Sequence, residues 1–509
     1  MTQTKVTVRP MDAQNERMIA NAHPADWVNP QPAPSYNMVV LGGGTAGLVS
    51  AVGAAALGAH TAIVESRLYG GECLVDGCVP SKALIRAARS LAEAGRTKDF
   101  GVQLTRRPKP DFGAVMERVR RVRADISAHD SAMRLRNELG IDVFIGEGRF
   151  RGPRELAVGD TLLRFSKAIV ATGSSPAQPP IEGLAQAGYL TNETLFELTE
   201  LPSRLAVIGG GPIGCEMAQA FSSLGSKVTL IERRERLLLK DDAEAAEVLR
   251  RRFEAEKISM LFESTVRRVT VEDDATRLHV ETSDGKRRTI DVDRILVGAG
   301  RVPVVENIGL EAAGIQYDTK NGVQVDDYLR TTNPDVYAAG DVCLKKRFTH
   351  TADAAARAAV QNALFPLRKR FSSYVVPWCT YTEPEIAHTG MYPSDAVRDG
   401  IEVERMVQPF GDIDRAVIDG EEDGMLIVYL KRGTDRLVGA TLVATHAGEM
   451  ITELTLAISS GSGLRELGSI IHPYPTQVEA VRRLADTYNR RRLTPAVSTL
   501  LSYWFRWAR

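Results

Sequence analysis

The sequence predicts an α/β protein, with two Rossmann-like strand–turn–helix–strand units followed by a C-terminal α+β region. Three observations predict it. A glycine turn joins an apolar strand to an alanine-rich helix near the N-terminus. The same arrangement recurs 167 residues later, and alternating short strands ahead of a helix occupy the region beyond residue 372. A length of 509 residues accommodates three or four domains, and 44% hydrophobic with 25% charged residues is the composition of a globular chain. Sixty-four basic residues balance 64 acidic ones, which removes the main electrostatic ground for expecting nucleic acid or an anionic membrane surface as the principal partner. Five cysteines are too few for a disulfide-stapled secreted scaffold, and residues 1–20 lack the apolar core of a signal peptide. A cytoplasmic location is the expectation. Residues 38–59 carry no charge and are long enough to span a bilayer, but their density of Gly and Ala fits a strand, turn and helix better.

The first unit runs from the strand at Asn37–Leu41 through Gly42, Gly43, Gly44 and Gly47 into a helix, then to a strand at 61–64 that ends at Glu65. Gly42 permits the tight turn, Gly44 lets a pyrophosphate approach the backbone, and Gly47 lets helix and strand pack closely. Glu65, 23 residues after Gly42, is placed to accept hydrogen bonds from ribose hydroxyls. The second unit repeats the pattern with a strand at 204–208, Gly209, Gly211 and Gly214, a helix through Gly225, and a strand at 227–231 before Glu232. Two such units imply two dinucleotides and electron transfer between them. Glu232 suits the free ribose of NADH, whereas Arg233 and Arg234 suit the 2′-phosphate of NADPH, so either coenzyme is expected.

Between the units lies Gly70-Gly71-Glu72-Cys73-Leu74-Val75-Asp76-Gly77-Cys78-Val79-Pro80-Ser81-Lys82. A regular helix would separate the two cysteines by about 7.5 Å along its axis, slightly beyond disulfide reach. Gly77 allows a distortion that closes the gap, and Pro80 suits the first turn of a helix over 81–94. The N-terminus of that helix would favour a thiolate on Cys78. A redox disulfide, two reduced core cysteines and a metal pair all remain open on spacing alone. The segment supplies no further Cys or His for zinc, and no resident metal is expected.

With these residues, and with Ala171-Thr172-Gly173, Gly300-Arg301-x-Pro303 and Tyr337-Ala338-Ala339-Gly340-Asp341, the chain resembles the pyridine nucleotide-disulfide oxidoreductases of the glutathione reductase and dihydrolipoamide dehydrogenase type. The resemblance covers about residues 36–485. It implies FAD and NADH or NADPH as cofactors, and a redox disulfide between Cys73, the interchange thiol, and Cys78, the charge-transfer thiol. It also implies an ion pair of Lys82 with Glu216 beside the flavin, and Asp341 on the flavin nucleotide. His350 would open an Ala-rich helix against the flavin ring, with Gly148, Thr172, Gly173, Gly300 and Arg301 counted among the cofactor-binding residues. Val75 departs from the family pattern, which often has Asn there. Cys215, Cys343 and Cys379 are read as core residues.

The segment Ile471-His472-Pro473-Tyr474-Pro475-Thr476-Gln477-Val478-Glu479 matches the place where this family keeps an acid/base histidine. Aligning Pro475, Thr476 and Glu479 puts Tyr474 at that position. An unperturbed tyrosine, with a pKa of about 10, cannot take a thiol proton at neutral pH. His472 is the alternative base. A tyrosine here is similar to the catalytic core of mercuric reductases, in which it guides a soft metal ion to the cysteines. Residues 1–35 hold no cysteine and 501–509 no cysteine pair, two features of that group that are missing. The acceptor is therefore expected to be a metal ion bound transiently at Cys73 and Cys78, or a small disulfide as in dihydrolipoamide dehydrogenase. A redox-sensing flavoprotein that binds a partner through its tail is the reading from a different class.

The organisation expected is an arm over 1–35, flavin-binding segments over 36–174 and 301–371, a nicotinamide segment over 175–300, a dimerisation domain over 372–485 and a tail over 486–509. By resemblance the protein is a homodimer in which Tyr474 and Glu479 serve the other subunit. Residues 116–136 read as a solvated basic helix face, and 241–257 as a surface helix pairing Glu247 with Arg251. The aromatic, arginine-bearing tail would pack on its own dimer or lie on a membrane surface.

Overall fold

A computed structural model describes residues 6–106, 108–272, 275–491 and 493–508. The chain forms two compact units. The first comprises 1–209, 220–233 and 258–373, the second 210–219, 234–257 and 374–509.

The first unit is built on parallel strands. Tyr36–Leu41 lies between Thr61–Glu65 and Thr161–Val170, and Asp142–Ile145 extends the sheet beyond Thr61–Glu65. Val336–Ala338 also pairs in parallel with Thr161–Val170, whose other neighbours Glu155–Val158 and Gly148–Gly152 run antiparallel. Residues 38–41 are all buried, as expected of a parallel strand covered on both faces. Their uncharged stretch continues into the helix Thr45–Ala56, and no described helix is long and apolar enough to cross a membrane. A second parallel sheet orders Ser259–Leu261, Lys227–Ile231, Arg204–Ile208 and Arg294–Val297, so both Rossmann-like strands of the second unit in the sequence form over the residues predicted. Its core joins Ala206, Ile231, Val266, Leu278 and Ile295.

The N-terminal segment is not simply a polar arm. Asp12 caps a helix over Ala13–Ala22 by accepting from the Asn15 amide at 3.0 Å, and Met18 is buried. That helix packs on Phe112–Ser127. The expected solvated basic face is corrected here. Residues 116–136 fall in two helices, Phe112–Ser127 and Ala132–Asn137, and Arg123 is only 1% exposed. Its guanidinium donates to the Val75 carbonyl at 2.6 Å and to Asn15 Oδ1 at 2.9 Å, which is why a charge survives burial there.

The second unit holds a five-stranded antiparallel sheet in the order Trp378–Thr380, Glu385–Gly390, Leu437–Ala444, Met425–Lys431 and Val403–Pro409. The helix Ala447–Ser460 covers it, with Phe410, Leu426, Val428, Leu442, Leu454 and Leu484 in a shared core. In the helix Ala243–Ala255, Glu247 pairs with Arg250 at 2.7 Å; Arg251, the partner expected from the sequence, is not the one observed.

Candidate functional site

The first glycine turn is a cradle shaped by backbone contact. Gly42 has φ +111°, and a Cβ there would lie 2.2 Å from the Ala171 carbonyl oxygen. A Cβ on Gly47 would lie 1.8 Å from the Gly42 oxygen. Gly44 caps the helix Thr45–Ala56 without a side chain, leaving the helix N-terminus open to an anion. The Glu65 carboxylate accepts from the Gly43 amide at 2.6 Å and the Arg67 amide at 2.7 Å. Burial raises its pKa against these hydrogen bonds, and each oxygen keeps a lone pair for a further donor.

Gly71–Val75 forms one short helix, and Cys78–Gly95 a second that begins at the cysteine itself, three residues before the start expected from Pro80. Between them Gly77 approaches the preceding turn so closely that a Cβ would lie 2.9 Å from the Glu72 oxygen. This break brings the two sulfurs into hydrogen-bonding contact. The Cys73 thiol is pushed up, first by its hydrogen bond with Cys78 and then by burial. Thr349 joins them. Its hydroxyl lies 3.3 Å from Cys73 Sγ and 3.2 Å from Cys78 Sγ. It is the first residue of the helix Thr349–Leu364, one position before His350, which the family resemblance sets against the flavin ring. His350 is exposed and stacks on Phe348, with ring centroids 5.4 Å apart. Lys82 lies one turn after Cys78 on the same helix.

Beside the cysteines is a charged cluster. Arg301 donates to the Ser174 hydroxyl and carbonyl, each at 2.8 Å, and to Glu72. Ser174 in turn donates to Asp341 at 2.7 Å, and Asn192 to Glu72 at 2.7 Å. Burial, followed by the Arg301 charge acting in the opposite sense, leaves the Glu72 carboxyl pushed up to about 7. Thr172 donates to the Val304 carbonyl at 2.7 Å, and the Gly300 carbonyl accepts from the Ala177 amide at 3.0 Å. Gly173 and Gly300 both hold positive φ, at +72° and +115°. Gly148 has a packing reason for its missing side chain, since a Cβ would lie 2.4 Å from the Leu41 methyl. Thr351 Oγ1 is buried and has no hydrogen-bond partner among the described residues.

In the second turn Gly209 has φ +110°, and Gly211 and Gly214 follow on either side of the start of the helix Pro212–Ser223. Glu232 ends its strand with the backbone amide on the Leu261 carbonyl, and Arg233 and Arg234 are exposed. Glu216 is buried and accepts from the Tyr381 amide at 2.9 Å. Cys215 and Cys343 rest on the Gly210 and Gly340 carbonyls, and burial pushes the Cys343 thiol up.

The C-terminal segment presents Tyr474, 69% exposed, with its hydroxyl donating to Asp414 at 3.0 Å. That hydrogen bond raises the phenol's pKa, so it stays protonated at neutral pH. The His472 side chain is 5% exposed, held by Glu453 Oε1 at 3.0 Å and the Ile470 carbonyl at 3.2 Å. Glu479, at the start of the helix Glu479–Arg490, accepts from Arg482 and Arg483 through Oε1. Its buried Oε2 has no hydrogen-bond partner among the described residues.

Two cysteine sulfurs in contact on adjoining helices lie between two glycine turns in the chain. The family model described as pyridine nucleotide-disulphide oxidoreductase matches residues 36–359, and its dimerisation domain matches 376–485. The chain belongs to this family. A mercuric reductase from Bacillus cereus is 33% identical over 455 residues, 89% of this chain and 72% of that protein. A dihydrolipoyl dehydrogenase from Thermus scotoductus is 34% identical over 90% of this chain and 98% of its own. Among solved structures, the HOCl-induced flavoprotein disulfide reductase RclA from Escherichia coli superposes with a TM-score of 0.79 at 26% identity, covering 89% and 99% of the two chains. The same protein has been solved as a Cu(II) complex, with a TM-score of 0.78 at 26% identity over 88% and 99%.

The family uses FAD and NAD(P)H, and the residues present fit both groups. The first cradle admits nothing larger than hydrogen at Gly42 and Gly47, and Glu65 retains acceptor capacity. The second turn repeats the left-handed glycine at its entry, where a Cβ on Gly209 would lie 2.9 Å from the Gly298 oxygen. The chain is an oxidoreductase carrying the family's dimerisation domain.

Proposed function

We propose that this oxidoreductase passes electrons from NAD(P)H through a Cys73–Cys78 redox pair to a soft metal ion, mercury(II) or a relative. The observation that carries the reading is the side chain offered by the C-terminal segment: a protonated phenol at Tyr474, with His472 turned inward onto Glu453. Reduction of a dithiol-disulfide substrate needs a group that takes and returns a thiol proton near neutral pH, and a protonated phenol does not serve. A soft cation needs thiolates, not a base.

Gly42, Gly44, Gly47, Glu65 and Asp341 would hold FAD, which when bound stores an electron pair between nicotinamide and sulfur. Gly209, Gly211, Gly214 and Glu232 would hold the nicotinamide coenzyme, and the exposed Arg233 and Arg234 support use of either NADH or NADPH. Lys82 and Glu216 are proposed as the ion pair beside the flavin. With mercury(II) between the two thiolates, the sulfurs give up one electron pair and close an S–S bond. The metal leaves as mercury(0), and the two thiol protons pass to solvent. NAD(P)H then supplies the pair that restores the dithiol, with one proton taken up. Thr349, in contact with both sulfurs, keeps them within reach of each other. In a homodimer with shared sites, Tyr474 and Glu479 act at the partner's cysteines.

The identity shared with dihydrolipoyl dehydrogenases favours a second reading, reduction of a small disulfide. Acceptor-dependent NAD(P)H oxidation separates the two. Turnover with mercury(II)–thiol complexes well above that with lipoamide or oxidised glutathione is expected. The reverse order, lost on replacing His472 with Gln, would establish the disulfide reading instead.

A further inference from the structure

Residues 487–509 lie beyond both family matches, and their composition sets them apart. They carry five arginines, Arg490, Arg491, Arg492, Arg506 and Arg509, and no acidic residue, in a chain whose basic and acidic totals are equal at 64 each. Thr494 caps a helix over Pro495–Trp507, accepting from the Val497 amide at 3.4 Å, with Pro495 in the first turn. Val497, Leu500, Leu501, Trp504 and Trp507 recur at helical spacing and form one stripe, bordered by Tyr503 and Phe505. Ser498, Ser502 and Arg506 occupy the opposite face. Every described residue from 493 to 508 is exposed, and the Trp504 and Trp507 rings lie 5.4 Å apart.

An apolar stripe of this kind marks a surface that something covers. The helix is about 20 Å long, too short for a hydrocarbon core of about 30 Å. Whatever covers it must receive tryptophan and tyrosine at an apolar–polar boundary and meet positive charge at both ends of the helix. The chain's densest acidic run, Asp419, Glu421, Glu422 and Asp423, spans five residues and on a second copy would meet one end of the helix at most. An anionic bilayer surface meets both demands along the whole helix.

We propose that residues 487–509 are an interfacial membrane anchor. The helix Pro495–Trp507 lies in the plane of an anionic bilayer, its tryptophan–leucine stripe in the acyl boundary and Arg506 and the flanking Arg490 at the headgroup phosphates. The anchor places a reductase at a lipid surface without spanning it.

The test uses the full-length, FAD-loaded protein with vesicles of phosphatidylcholine alone or with about 30 mol% phosphatidylglycerol. Sedimentation with the anionic vesicles only, release in about 0.5 M salt and a blue shift of tryptophan emission are expected. The double variant Arg490→Gln/Arg506→Gln should bind at least ten-fold more weakly, since each arginine near such a surface contributes roughly five-fold. Trp504→Ala/Trp507→Ala should not bind at all. Both variants should keep the flavin spectrum and NAD(P)H oxidation of the parent. Failure to bind either vesicle, equal binding to both, or undiminished binding by the tryptophan variant overturns the proposal. So does conversion of the tryptophan variant to a monomer in the absence of lipid, which would make the stripe a contact between copies.

Discussion

The cysteine segment 70–82 and the C-terminal segment 471–479 are built in opposite ways. The first is tied down on every side. Arg123 holds the Val75 carbonyl, Thr349 touches both sulfurs, and Arg301 and Asn192 hold Glu72. The second leaves its phenol exposed and one carboxylate oxygen of Glu479 without a partner among the described residues. Making and breaking a bond between two sulfurs requires that neither drift out of the other's reach. Choosing an acceptor requires a surface that something else completes.

The sharpest way to break this contrast is at the sulfurs. Cys73→Ser or Cys78→Ser should lower acceptor-dependent NAD(P)H oxidation by about a thousand-fold, because neither sulfur can close the bond alone. Steady-state rates and loss of the long-wavelength thiolate–flavin absorbance check this. A variant within ten-fold of the parent would remove the cysteines from the relay.

Next comes the support behind them. Arg123→Met strands the Val75 carbonyl and Asn15 in an apolar setting, and should cost about 2–3 kcal/mol in denaturant unfolding. An unchanged midpoint would mean that the cysteine segment is held from its other side alone.

At the exposed segment the effects should be smaller and confined to turnover. Tyr474→Phe is expected to lower mercury(II) turnover about ten-fold with an unchanged melting temperature, and Tyr474→His to raise lipoamide turnover. Equal metal turnover in Tyr474→Phe would leave the soft-metal reading without its main support.

The smallest effect is a dependence on pH. Burial lifts the Glu72 carboxyl from 4.5 to about 7, so what this group contributes to stability is fully present below 4.5 and lost as pH rises through about 7. The side chain is one-third exposed, so solvent screening limits the effect to about 1 kcal/mol. Melting of Glu72→Gln relative to the parent should improve progressively between about pH 5 and 8. A constant difference across that range would mean that the carboxylate is fully paired.

What could be read in advance follows from how local each signal is. Strands 204–208 and 227–231 and both glycine turns declare themselves within a few residues, through an apolar run and the backbone freedom that a turn demands. Thr349 does not, because it meets Cys78 across 271 residues and nothing near either position announces the encounter. Arg123 misleads for a related reason. Arginines at helical spacing look solvated until another helix, here Ala13–Ala22, supplies Asn15 against the guanidinium. The inward turn of His472 depends on Glu453, 19 residues earlier on the helix Ala447–Ser460.

The hydroxyl of Thr349 owns a single hydrogen and sits between two potential owners of a negative charge. Spinning about one carbon–oxygen bond transfers its donation from one thiolate to the other with no displacement of any heavy atom. In the proposed relay, swapping which sulfur is anionic would therefore ask only for a turn of that hydroxyl.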